Sequence, residues 1–176
     1  MAERVIGIAA ACVCVLLVAS CDTSGALQAN GAIEGEPVEL FSVKIKGQTY
    51  RLELALDDES RIAGLSGRES IPEKGGMLFS FPSAQQRYFV MRDCQFDIDI
   101  AYLDGSGKVI SMHAMTVEPR REGESDLAYE QRLKRYPSFY AAEFAVEVMG
   151  GTWEEIGLVA GETIEFDRAS VKERTR

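Results

Sequence analysis

Between residues 38 and 166, much of the chain alternates hydrophobic with polar positions, which is the pattern of half-buried β-strands. Two such stretches, 38–45 and 50–56, flank the turn Lys46-Gly47-Gln48 and predict a first hairpin. Further strands are predicted at 77–81, 88–91, 144–148 and 163–166.

The clearest alternation lies between Phe96 and Leu103 and predicts a strand. The sequence Asp104-Gly105-Ser106-Gly107 follows it and is typical of a tight turn. The apolar-rich stretch 109–115 comes next, so we predict a second hairpin.

Two segments are predicted to form helices, and Thr152-Trp153-Glu154-Glu155 is predicted to start a further short helical turn. Asp57 and the acids after it provide an N-cap and first turn for a short helix that ends near Gly64 or Gly67. The charged segment 118–135 carries an apolar stripe at helical spacing, and Pro137 is expected to end that helix.

Short strands with minor helices predict a mainly β fold. We expect a compact β-sandwich or jelly-roll-like barrel of short antiparallel strands, with two or three short helices. The predicted globular domain covers residues 37–168, and a charged tail covers 169–176.

Residues 5–19 are almost wholly apolar, a length that suits a secretory signal peptide and is short for a transmembrane helix. The run ends in Val18-Ala19-Ser20-Cys21, which has the small residues and the cysteine of a bacterial lipobox. We therefore predict a signal peptide over 1–20. An uncleaved membrane anchor and a buried core helix are the alternatives.

In the lipobox interpretation, the Cys21 thiol receives the lipid and residues 22–36 form a small, polar, flexible tether. Several acyl chains would anchor the protein permanently. The membrane is then a partner through Cys21, and the protein faces the periplasm or the cell exterior. Asp22 after the cysteine bears on which membrane retains it, a rule that varies between bacteria.

The formal net charge is −9, which argues against nucleic acid as a partner. Of the four cysteines, Cys12 and Cys14 leave with the signal peptide and Cys21 is lipidated. Cys94 remains, without a disulfide partner, and we expect a buried, inert thiol. The domain must then be stabilised by its core.

The sequence contains no strong catalytic signature and implies no cofactor. Met112, His113 and Met115 are soft ligands that would suit copper(I). Strand alternation places Met112 and Met115 on opposite faces, however, and core methionines are the simpler interpretation.

Asp99 interrupts an apolar strand, so it needs a partner if it is buried. Arg68, after the short helix, is the expected partner in an ion pair. A hydrolase that uses these two side chains is a further alternative.

The ordered series of motifs in the chain resembles an uncharacterised family called domain of unknown function 192 (DUF192). The resemblance covers residues 37–167 and rests on Gly64-Leu65, Arg68, Gly76-Met77-Leu78-Phe79, Phe81, Phe89-Val90-Met91, Ile98-Asp99-Ile100 and Asp104 with its glycines. It implies a small, mainly β domain, often secreted or membrane-attached, and no activity.

The chain departs from the family pattern at several motif positions. It has Ser66, Val90, Arg92, Asp93, Cys94 and Asp97 where the family usually has Met, Trp, Lys, Asn, Thr and Pro. If the family shares a site, four side chains are candidates to converge on it: Arg68, Met91, Asp93 and Asp99. We predict a non-catalytic binding or accessory module of the cell envelope, for an unknown envelope protein or small ligand.

Overall fold

The computed structural model describes residues 39–176. Its strands are β1 (Leu40–Ile45), β2 (Gln48–Ala55), β3 (Met77–Phe89), β4 (Ile98–Leu103), β5 (Val109–Met115) and β6 (Tyr136–Met149). Its helices are α1 (Asp58–Ala63), α2 (Asp126–Arg132), α3 (Thr152–Ile156) and α4 (Arg168–Arg174). The predicted signal peptide, Cys21 and the tether lie outside the described residues. Within the described part, no helix has the length and apolar character needed to cross a bilayer.

The six strands form one sheet in the order β1-β2-β3-β6-β4-β5. Both predicted hairpins are confirmed, as is the mainly β class. The sheet is open, however, so the expected closure into a barrel is wrong. One neighbouring pair, β2 and β3, is parallel, because α1 carries the chain back to the end at which β2 began.

The two longest strands, β3 and β6, pair with each other through the middle of the sheet. The sequence predicted two separate strands here, at 77–81 and 88–91, but the chain continues through Pro82 and Ser83 as one strand. Register shifts between Ser80 and Gln85 absorb the extra residues as a bulge. Pro137, expected to end a helix, is the second residue of β6.

The first face of the sheet packs against the C-terminal part of the chain. Trp153 of α3 and Val171 of α4 belong to its core. The expected charged tail at 169–176 is therefore mostly helix, and it contributes Val171 as a fully buried side chain. The expected last strand at 163–166 makes two isolated bridges with its neighbours.

The second face carries a separate core of large side chains. Its buried members include Leu65, Met77, Phe79, Phe81, Met91, Ile98, Ile100, Tyr102, Met115 and Tyr136. The turn after α1 and the segment after β3 pack on this face, since Leu65 and Met91 both belong to it. These two segments also bond each other, because the Ser66 hydroxyl donates to the carbonyl of Arg92 at 2.8 Å.

The helix caps follow the sequence. Asp57 accepts from the backbone N–H of Ser60 at 2.8 Å, and the Ser60 hydroxyl accepts from the N–H of Asp57 in a reciprocal capping box. Ser125 caps α2, which is shorter than the predicted 118–135.

Candidate ligand-binding site

A cavity of about 370 Å³ opens on the second face, between α1, β3 and the segment after β3. This volume lies in the range of small-molecule sites. Its apolar wall contains Leu65, Phe79, Phe81 and Phe89. Its polar lining includes Arg61, Ser66, Arg87, Arg92, Cys94 and Glu147. Ser66, Val90, Arg92 and Cys94, which depart from the family pattern, all line it.

Glu147 lies in the middle of the sheet. It is on β6, which has β3 on one side and β4 on the other. Its partners in register are Met77 on β3 and Ile100 on β4, both buried. Residues paired in register point to the same face, so apolar side chains flank the Glu147 carboxyl on both sides.

The Glu147 carboxyl is buried, with 4% of the residue exposed, and it lines the cavity. Among residues 39–176, the Glu147 carboxyl has no hydrogen-bond or ion-pair partner. Burial raises the pKa of this carboxyl to about 8. At neutral pH it is therefore mainly protonated, and it can donate a hydrogen bond into the cavity.

The backbone at Glu147 is closely covered by Gly76, at the entry to β3. A Cβ on Gly76 would lie 2.0 Å from the carbonyl oxygen of Glu147, and its φ of +144° is one that glycine adopts readily. A side chain at this position would separate β3 from β6. Gly76 therefore helps to hold Glu147 in its place under the cavity.

Phe79, Phe81 and Phe89 form the cavity wall between Arg87 at one end and Glu147 at the other. The Phe89 ring packs edge-to-face on Phe79, with centroids 4.8 Å apart, and on Phe81 at 6.5 Å. The α1 terminus adds to this wall, because the Cβ position of Gly64 lies 3.6 Å from the Phe79 ring. The cavity therefore offers an aromatic surface to a bound molecule.

Cys94 is half-buried beside Glu147 in the cavity. Burial, with smaller contributions from the nearby acidic side chains of Glu147 and Asp93, raises the pKa of its thiol to about 12. A thiol of this kind is protonated at neutral pH and a poor nucleophile. The expectation of an inert thiol agrees with this environment.

Three arginines line the cavity, and their partners differ. Arg61 pairs with Asp58 at 2.9 Å and also donates to the carbonyl of Ser80. Arg92 pairs with Glu130. Arg87 has no carboxylate partner among the described residues, and its Nε is buried without an acceptor.

Arg68 lies on the same face of the sheet as the cavity but does not line it. It forms a two-fold ion pair with Glu53, with Nη2 donating to Oε2 at 2.6 Å. Glu53 pairs in register with Met77, which in turn pairs with Glu147. Arg68 is therefore close to the candidate site, and its charge is already neutralised.

Met91 and Asp93 flank residues of the cavity without lining it. Met91 is fully buried in the second core. Asp93 is exposed and accepts from Arg120 at 2.9 Å. Its backbone N–H donates to the Tyr129 hydroxyl of α2. These residues fix the segment that supplies Arg92 and Cys94 to the cavity.

Asp99 is buried, as expected, but its partner is not Arg68. Its Oδ2 accepts from the backbone N–H of Trp153 at 2.8 Å, at the start of α3. Trp153 belongs to the first core, and Arg68 with Glu53 lies on the opposite face. The predicted ion pair is therefore wrong, and the sheet separates the two side chains of the hydrolase alternative.

The proposed copper ligands are also dispersed. His113 Nε2 lies 2.7 Å from the carbonyl oxygen of Pro137, and Met115 is buried in the second core. Met112 packs against the first core on the other face. Within residues 39–176 no group of three His, Cys, Asp or Glu side chains is placed to hold a metal.

Glu147 and Arg87 were not among the site residues predicted from the sequence. Glu147 alternates with the buried residues of a strand, so it looked like part of a solvent-facing row. Its position in a central strand covered on both faces is what buries it. The local feature closest to Glu147 is Gly150-Gly151. It indicates where the strand ends but not where the strand lies in the sheet.

Residues 41–166 match the model of DUF192, a family described as "Uncharacterized ACR". No curated protein matches the chain. A solved structure described as a proposed transcription regulator from Sinorhizobium meliloti is 22% identical, with a TM-score of 0.61, and the match covers 75% of this chain and 98% of that one. A protein of unknown function from Novosphingobium aromaticivorans is 20% identical, with a TM-score of 0.60 and coverage of 78% and 91%. These two likenesses concern the fold.

Proposed function

The chain belongs to the DUF192 family, and we propose that this member is a non-catalytic module that binds a small molecule in the cavity above Glu147. The observation that carries the proposal is the Glu147 carboxyl, which is buried, faces the cavity and has no partner among residues 39–176. A bound molecule with a hydrogen-bond acceptor would supply the missing partner.

A purely structural role for Glu147 is hard to reconcile with its surroundings. A buried polar group without a partner costs free energy, typically about 1–3 kcal/mol and more when it is charged. Its register partners Met77 and Ile100 are apolar, so an apolar side chain would suit this position of the sheet better than a carboxyl. A strongly perturbed carboxyl in a cleft is typical of a functional site.

The cavity favours binding over catalysis. Cys94 is a poor nucleophile at neutral pH because burial raises its pKa to about 12. No histidine is found among the described residues that line the cavity, and His113 is bonded elsewhere. The thiol beside Glu147 is therefore unsuited to nucleophilic attack at neutral pH, and we assign Glu147 to ligand recognition.

We further propose that the module is attached to the cell envelope by lipid on Cys21, facing the periplasm or the cell exterior. The support is the lipobox sequence at residues 18–21. Cys21→Ser removes the acyl acceptor, so the protein should no longer be found in the membrane fraction and should no longer incorporate labelled lipid. Cys94→Ser serves as the matched control and should leave both unchanged. Unaltered labelling of the Cys21→Ser protein contradicts the anchor.

The binding proposal is tested by screening a fragment library against the isotopically labelled protein. Fragments should shift the backbone amide resonances of Leu65, Ser66, Val90 and Cys94. Val90→Trp places a large ring at the cavity wall and should abolish these shifts. Val159→Trp makes the same change at an exposed site and should retain them. Fragments that bind elsewhere, or equally to Val90→Trp, contradict the proposal.

A further inference from the structure

We propose that the ligand of this cavity is an elongated amphipathic anion. Its oxyanion, a carboxylate or phosphate, binds the Arg87 guanidinium, and its apolar body lies along the phenylalanine wall toward Glu147. The inference rests on the proposed function and adds the chemical class of the ligand.

Arg87 is the cation of the cavity that lacks a counter-ion in the described part of the chain. Arg61 and Arg92 each pair with a carboxylate. The Arg87 Nη2 donates to the carbonyl of Ser83 at 2.7 Å, while its Nε is buried with no acceptor. A guanidinium presents several N–H donors in a planar fork that matches a two-oxygen anion. An oxyanion would occupy the donors that Ser83 leaves open.

The surroundings hold Arg87 in place and increase its demand for an anion. The guanidinium carbon lies 4.3 Å from the centre of the Phe81 ring, a cation–π contact that orients the group. Burial and the nearby charge of Arg61 lower the pKa of Arg87 and so disfavour its charge, whereas the exposed carboxylate of Asp58 raises the pKa by a smaller amount. An anion at this position would offset both effects, and a neutral ligand would not.

The ends of the cavity set the length of the ligand. Gln85 and Gln86, before Arg87, pair with Ala142 and Ala141 of β6. From Ala142 to Glu147 the strand advances roughly 16 Å at about 3.3 Å per residue. The Arg87 side chain reaches back over Phe81, which shortens the gap between the two polar groups. A chain or ring system of several carbons fits between them.

The Glu147 end completes the recognition. The Arg87 end takes negative charge, while the protonated Glu147 carboxyl offers a hydrogen bond to a neutral oxygen. Between them, Phe79 and Phe89 contribute apolar surface. An anion with an apolar body and a hydroxyl or carbonyl at its far end matches all three parts of the cavity.

The test compares octanoate, octyl phosphate and octan-1-ol by titration calorimetry on the purified protein. Wild type should bind at least one anion at least tenfold more tightly than the alcohol. Arg87→Gln should abolish this preference, and Arg87→Lys should restore part of it. Arg135→Gln removes an exposed arginine outside the cavity and should leave the preference unchanged. The ratio of octanoate to octyl phosphate affinity distinguishes a carboxylate site from a phosphate site.

The outcomes separate this inference from the proposed function. If the alcohol binds as tightly as both anions, or if Arg87→Gln keeps the preference, the assignment of an anion is wrong while the cavity remains a binding site. If neither anion binds, the inference is also overturned, and the fragment screen then judges the proposed function independently. Amide shifts at Val90 and Cys94 must accompany binding, because an amphiphile adsorbed elsewhere would contradict the inference.

Discussion

Replacing Glu147 with glutamine should remove a pH-dependent loss of stability. The side chains are similar in size, but glutamine stays neutral at every pH. In the wild-type protein, burial raises the Glu147 pKa from 4.5 to about 8. The folded state therefore holds a proton that the unfolded state releases above about pH 4.5, and stability falls as the pH rises through this interval.

The magnitude follows from the shift. Each unit of pKa difference corresponds to about 1.4 kcal/mol. Between about pH 5 and about pH 7.5, the wild type should lose about 3 kcal/mol of unfolding free energy relative to Glu147→Gln. Below about pH 4.5 both side chains are neutral in both states, so this titration effect disappears. Above about pH 8 the difference levels off.

Urea unfolding at a series of pH values measures this difference directly. Comparison with the variant cancels the titration of every other group, provided that those groups are unaffected. Glu122→Gln, at an exposed position before α2, should follow the wild-type curve with a nearly constant offset. If the stabilities of wild type and Glu147→Gln differ by a constant amount between pH 5 and pH 8, Glu147 does not titrate as a buried acid and the reasoning fails.

Three further predictions concern the residues around the site. Arg68→Ala and Glu53→Ala should each lower the unfolding free energy by about 1–2 kcal/mol, between the values typical of exposed and of buried ion pairs, because this pair is partly exposed. Urea melts should show that the double variant loses less than the sum of the two single variants. Asp99→Ala should cost about 1–3 kcal/mol by leaving the Trp153 N–H without its acceptor, with a change in the fluorescence of the chain's single tryptophan. Cys94 should resist alkylation at neutral pH and react in urea, as peptide mass spectrometry can measure, and rapid labelling of the native protein would contradict its raised pKa.

Local features of the fold could be predicted from the sequence. The turn Asp104–Gly107 joins β4 and β5 as expected, since the Asp104 side chain accepts from the N–H groups of Ser106 and Lys108. Asp57 caps α1 as expected. In each case the residues that set the structure are neighbours in the chain. The parallel pairing of β2 with β3 depends instead on contacts between distant segments, which no local pattern encodes.

The burial of Glu147 could not be predicted from the sequence for the same reason, because it also depends on contacts between distant segments. Glu143 and Glu147 occupy equivalent positions in the alternation of β6, and the sequence alone gives no reason to separate them. Glu143 forms an ion pair with Lys172 at 2.6 Å and is partly exposed. Glu147 lies four residues further, where the sheet is covered by the segments around Leu65 and Met91. Tertiary packing alone decides which of the two carboxylates is buried.

For Asp99, sequence reasoning identified the requirement but not the partner. A carboxylate between apolar neighbours needs a hydrogen-bond donor, and the structure provides the Trp153 N–H at 2.8 Å. Arg68 is an obvious donor in the sequence because its charge is visible there. Every non-proline residue has a backbone N–H, so the residue type of Trp153 does not indicate that its N–H is free to donate at the start of a helix.

The two unpartnered groups of the cavity are most simply understood together. Arg87 and Glu147 have opposite charges when ionised, so a direct ion pair would satisfy both and stabilise the fold. They lie instead toward different ends of the same cavity, with Phe79 and Phe81 in the wall between them. The distance leaves Arg87 charged without a counter-ion from the described residues and Glu147 protonated at neutral pH. A molecule with an anion at one end and a neutral acceptor at the other would satisfy both groups at once, whereas no single small ion could reach both.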